Sequence, residues 1–236
     1  ELRGGDDGDG PLALAEAMRG DVFTDGREQA LTLAADAAAE EDHLRGEGVD
    51  DVGHARGDVF AVAVDDALRG GVCKLYKTLR PGEIVPTHGA TGANSLVIST
   101  LVEPGDHVVS VKPTYQQLYS IPEMCGAKVD ILQLDRKNGY HVDVDALDAL
   151  VTDDTKLICI NNPDNPTGAL LDADTLKAIV EVARKHDAWL LCDEVYRLLT
   201  QTDEYAESVV DLYDKAVATA SMSKVWSFAG LRLGWA

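Results

Sequence analysis

From about residue 73 onward, short apolar runs alternate with longer stretches in which apolar side chains recur every three to four positions. The runs at 107–111, 128–134, 156–161, 188–192 and 215–220 have the length and apolar content of strands, and a short extended segment at 83–87 precedes them. The run at 156–161 is apolar almost throughout, as expected of a strand covered on both faces. Between these runs, 92–102, 115–125 (interrupted by Pro122), 144–151 and 172–186 are predicted helices. In the last of them Leu176, Ile179, Val180 and Ala183 fall on one side at helical spacing. Strand and helix in alternation predict an α/β fold, a mostly parallel sheet with helices on both faces.

Residues 1–72 follow no such rhythm. They contain no Lys, Ile, Ser, Asn, Tyr, Trp or Cys, and they hold 18 of the chain's 41 acidic residues against 6 of its 21 Lys and Arg. The stretches 12–18 and 28–44 are rich in Ala, Leu and Glu, which favour helix, but Gly–Asp clusters interrupt them. This first unit is an atypical acidic, Gly/Asp/Ala-rich segment. Its composition fits an acidic arm without fixed structure, foreign sequence, or a helical region of skewed content. Residues 73–236 form the second unit.

The formal charge of −20 disfavours nucleic acid and anionic membrane surfaces as partners, since both reward clustered Lys and Arg. No apolar run has the length of a membrane span, and the acidic, glycine-rich start lacks a signal-peptide pattern. The expectation is a soluble cytoplasmic protein. Cys73, Cys125, Cys159 and Cys192 form no CxxC pair, and no His stands at metal-ligand spacing from them. They are expected to be reduced thiols that pack as small hydrophobes, with no metal.

Open α/β sheets bind ligands beyond the carboxyl ends of their strands, so the polar residues after each strand carry the candidate chemistry. Four places stand out. The turn from Thr87 through His88, Gly89, Ala90, Thr91 and Gly92 joins a strand to a helix with small residues, which lets backbone N–H groups meet a phosphate. The loop Asn161-Asn162-Pro163-Asp164-Asn165-Pro166-Thr167-Gly168 is stiffened by prolines and holds an amide in place. Asp193, in Asp193-Glu194-Val195-Tyr196-Arg197, ends an apolar strand, where a carboxylate needs a positive partner, a capping role, or an ion pair with Arg197. Ser221-Met222-Ser223-Lys224 follows the last strand and offers an amine suited to nucleophilic chemistry once desolvated. Arg232, in Gly230-Leu231-Arg232-Leu233-Gly234-Trp235, presents a planar fork suited to phosphate. Taken singly, each place also reads as ordinary turn, cap or surface charge.

In this order and spacing the motifs resemble the fold-type I pyridoxal-phosphate enzymes, in particular the class I/II aminotransferases. The resemblance covers residues 73–236 and rests on the Asn-Pro-Thr-Gly loop, the Asp-x-x-Tyr step and the Ser-x-Ser-Lys…Gly-x-Arg-x-Gly stretch. It implies that Lys224 forms a Schiff base with pyridoxal 5′-phosphate and later moves a proton at the substrate. It implies that Asp193 pairs with the pyridine nitrogen, that Tyr196 and Asn165 hydrogen-bond the ring oxygen, and that Tyr115 stacks on the ring. Ala90, Thr91, Ser221, Ser223 and Arg232 match the phosphate ligands and their neighbours. The implied reaction moves an amino group between an amino acid and a 2-oxo acid, in a homodimer. A lyase acting by β-elimination, a synthase on the same cofactor, and an inactive cofactor-binding fragment stay open. The chain stops just after the arginine motif, so the resemblance also implies that the family's small domain, with its substrate-carboxylate arginine, is missing.

Overall fold

The computed structural model describes residues 67–199 and 206–236, and the expected helices at 12–18 and 28–44 lie outside them. Seven strands form one sheet: β1 (Pro86–His88), β2 (His107–Lys112), β3 (Lys128–Gln133), β4 (Thr155–Asn161), β5 (Trp189–Asp193), β6 (Ala216–Ser221) and β7 (Leu233–Trp235). Their order is β1-β7-β6-β5-β4-β2-β3. The pairs β2–β3, β2–β4, β4–β5 and β5–β6 are parallel, while β7 runs antiparallel to both β6 and β1. The helices are α1 (Gly89–Leu101), α2 (Gln117–Met124), α3 (Val144–Leu150) and α4 (Ala173–Lys185).

The central strands β4 and β5 are apolar on both sides because both sides are covered. Along β4, Leu157 and Cys159 join the core that holds Val97, Ile98, Leu118 and Ile121 of α1 and α2. Ile158 and Ile160 join the other core, with Leu147 of α3 and Leu176, Ile179, Val180 and Ala183 of α4. Strand alternation thus builds two cores from one sheet. Each fully buried Leu, Ile or Val contributes about 1.5–3 kcal/mol relative to exposure. Asp143 and Asp172 cap α3 and α4, accepting from the N–H of Ala146 at 3.0 Å and of Thr175 at 2.7 Å. Those caps explain why α3 and α4 begin one residue inside an aspartate.

Two features depart from the expected elements. The helix after β1 starts at Gly89, so the small residues read as a phosphate turn are its first turn. The strand β7 was not anticipated, since Leu-Gly-Trp is short and has glycine at its centre. That glycine has a packing reason. A Cβ on Gly234 would lie 2.4 Å from the carbonyl carbon of Gly89, so β7 and the start of α1 touch backbone to backbone.

The order of connections positions the site. From β2 the chain goes outward to β3, then returns to build β4, β5 and β6 on the other side of β2. Such a reversal opens a crevice at the carboxyl ends of the strands.

Candidate active site

A cavity of about 220 Å³ opens at those carboxyl ends. Ala90 and Thr91 reach it from the first turn of α1, Tyr115 from the segment after β2, and Asn165 from the loop after β4. Asp193 and Tyr196 reach it from the end of β5, and Ser221, Ser223 and Lys224 from the end of β6. Arg232 closes it from the residue before β7. Every residue to which the resemblance gave a cofactor role lines this one cavity, whereas His88 of the same candidate turn does not. Asn161 and Val195, named in sequence only as parts of their motifs, line it too, as does Ala229, which no motif had named.

Asp193 is 2% exposed. The Asn94 amide donates to its Oδ2 at 2.8 Å and the Val195 N–H to its Oδ1 at 3.1 Å. Burial pushes its carboxyl above the usual carboxylate range, and these two donors pull against that push. Among the described residues no Lys or Arg pairs with it. The ion pair with Arg197 considered from sequence goes instead to Glu194, Nε to Oε2 at 3.0 Å. The reason is strand alternation, which aims Asp193 toward α1 and Glu194 toward the opposite core. There Glu194 also accepts from Ser208 Oγ at 2.8 Å and the Val209 N–H at 3.0 Å. Burial raises it to about 7, with Arg197 opposing.

The other end of the cavity suits an anion. The start of α1 presents backbone N–H groups without helical partners. The Arg232 guanidinium packs where a Gly89 Cβ would stand, 2.8 Å from that position, and its Nη1 donates to the Ala229 carbonyl at 3.1 Å. Gly89 has φ +71°, a left-handed conformation that glycine adopts without cost. Ser221 is buried, and its Oγ accepts from the Ser223 N–H at 3.4 Å. Lys224 is exposed at the cavity rather than desolvated, and among the described residues it forms no ion pair. The loop after β4 is tied down by Asn161, whose Oδ1 accepts from the Asn165 N–H at 2.7 Å and whose Nδ2 donates to the Asp193 carbonyl at 2.7 Å. Among the described residues no group of three His, Cys, Asp or Glu is placed to hold a metal ion.

Fold and site together define a switch-point α/β domain with a small-molecule cavity. One end of the cavity suits an anion; at the other, among the described residues, stands a carboxylate without a cation, and the amine on its wall forms no ion pair among them. The sequence profile of the aminotransferase class I and II family matches residues 24–236, and the chain belongs to that family. It is 34% identical to an aspartate aminotransferase of Musicola paradisiaca over 155 residues, 64% of this chain and 39% of that protein. It is 33% identical to the arginine–pyruvate transaminase AruH of Pseudomonas aeruginosa, over 65% of this chain and 39% of that one. Among solved structures, a PLP-dependent aminotransferase from Streptococcus suis superposes with a TM-score of 0.73 at 39% identity, covering 87% of this chain and 54% of that one. The chain thus spans about two fifths of the length of the curated relatives it matches.

Proposed function

We propose that the protein is a pyridoxal-phosphate-dependent aminotransferase that transfers an amino group between an amino acid and a 2-oxo acid. One observation carries this reading: a buried carboxylate without a cation, Asp193, and a free amine, Lys224, open onto the same cavity, whose far end is built for an anion. A molecule with a protonated ring nitrogen, an aldehyde and a phosphate supplies what each of those groups lacks. When bound, pyridoxal phosphate supplies an electrophilic carbon for amines and a cationic ring that accepts the electron pair released at the substrate's α carbon.

The chain's own residues divide the work. Asp193 would keep the ring nitrogen protonated, because its ionised form inside a buried site demands a cation. Tyr196, Asn165 and Tyr115 would hold the ring. Ala90, Thr91, Ser221, Ser223 and Arg232 would hold the phosphate, using the α1 N-terminus and a guanidinium for the same charge. The Lys224 amine would hold the aldehyde end and would serve as the base that moves the proton at the substrate's α carbon.

The relatives named for amino transfer support this reaction over elimination or a synthase reaction on the same scaffold. A cytoplasmic homodimer completes the proposal. The free thiols of Cys73, Cys125, Cys159 and Cys192 fit a reducing compartment, and no helix among the described residues is long and apolar enough to cross a membrane. The test is a half-reaction. Cofactor-loaded protein mixed with an amino acid should yield pyridoxamine phosphate and the matching 2-oxo acid in equal amounts. Release of ammonia with the cofactor still in its aldehyde form would identify a lyase instead.

A further inference from the structure

Asp193 does not stand alone at the end of its strand. It is in register with Asn161 of β4 and Thr219 of β6, so the three side chains share the sheet face that looks toward α1. On that helix sits Asn94, fully buried among Ala93, Val97 and Ile98. Its Nδ2 donates to Asp193 Oδ2 at 2.8 Å and lies 3.5 Å from Gln117 Oε1. Its Oδ1 accepts from the hydroxyl of Thr219, also fully buried, at 2.6 Å.

The orientation of this amide is forced. An ionised carboxylate only accepts, so Asn94 must turn its NH₂ toward Asp193 and its carbonyl toward Thr219. Thr219 must then donate. The result is a one-way chain of donors, hydroxyl to amide to carboxylate, whose first two members are fully buried, so each link strengthens the next.

We infer that Asn94 and Thr219 are positioning residues for the proposed reaction: they hold the Asp193 carboxylate in place and ionised so that it selects a cofactor with a protonated ring nitrogen. This rests on the aminotransferase reading of the site. Asn161 has a separate task, since its amide binds the Asp193 backbone carbonyl and the Asn165 loop rather than the carboxylate.

The test compares pyridoxal phosphate with an analogue that carries carbon in place of the ring nitrogen, both titrated into the full chain and followed by Lys224-dependent absorbance. Wild-type protein should prefer the nitrogen-bearing cofactor by roughly tenfold or more, the range of a charge-assisted hydrogen bond. Asn94→Leu and Thr219→Val should shrink that preference toward one by weakening only the nitrogen-bearing ligand. Thr219→Ser, which keeps the donor, should retain it. An undiminished preference in the folded Asn94→Leu or Thr219→Val protein overturns the inference. Equal weakening of both ligands does the same, because it marks these residues as mere packing. Should wild-type protein fail to bind pyridoxal phosphate through Lys224, or fail to discriminate, the proposed function itself falls and takes the inference with it.

Discussion

A carboxylate buried without a cation is costly, and the cost is tolerated where a ligand completes the pair. Asp193 is such a group, and its replacement separates chemistry from binding. Asp193→Asn keeps the shape but no longer demands a protonated ring. Amino transfer in single-turnover assays should fall on the order of 10²–10³-fold, the range seen when one charge-stabilising group is removed. Affinity for the cofactor should change far less, because the phosphate contacts remain. Full turnover in this variant would remove Asp193 from the reaction. Both Asp193 and Lys224 were legible in sequence because each interrupts or follows an apolar strand with charge. Asn94 was not, because a single amide within an apolar helical stripe carries no signal until its partners from β5 and β6 are known. The Asp193–Arg197 pair, one of the alternatives open in sequence, does not form for a related reason: proximity in sequence says nothing about which face of a strand end each neighbour takes.

At the scale of elements, the start of α1 and β7 meet backbone to backbone at Gly89 and Gly234. Gly234→Ala would press a methyl group into the Gly89 backbone, and it should destabilise the fold by at least about 1–3 kcal/mol in chemical denaturation. Gly230→Ala is the control: nothing lies within 4 Å of its added carbon, and it should stay within about 0.5 kcal/mol of wild type.

The β5 end carries a second, pH-dependent feature. Burial raises Glu194 from 4.5 to about 7, so the folded state holds this proton at pH values where the unfolded chain has released it. Its contribution to stability is full below 4.5 and is lost as pH rises through about 7. Glu194→Gln should remove that decline between pH 4.5 and 7, because the amide fills the same buried place and has no proton to titrate there. Urea unfolding of both proteins across that range would show it, and parallel curves would refute it. The periodic signals located β2 to β6 and helices α1 to α4, because burial on two faces imposes those patterns. The three residues of β7 and the first turn of α1 were hidden, because close backbone approach requires small residues that also spell an ordinary turn.

For the molecule as a whole, the sheet acts as a scaffold that brings the ends of four strands and two loops to one crevice, which is how residues from Ala90 to Arg232 come to share 220 Å³. The strongly negative chain lines the proposed phosphate end of this cavity with a guanidinium and helix N–H groups, so phosphate binding there should depend on local geometry more than on bulk charge. Arg232→Ala should weaken binding of pyridoxal phosphate far more than binding of pyridoxal without phosphate, as measured by equilibrium titration. The central requirement is the Lys224 amine at the wall of this cavity. Reduction of the protein with borohydride after incubation with pyridoxal phosphate, followed by peptide mapping, tests it directly. The expected result is one cofactor-sized mass increase, confined to the peptide that holds Lys224 and absent from Lys224→Ala. A modification on another lysine, or one that persists in Lys224→Ala, would contradict it.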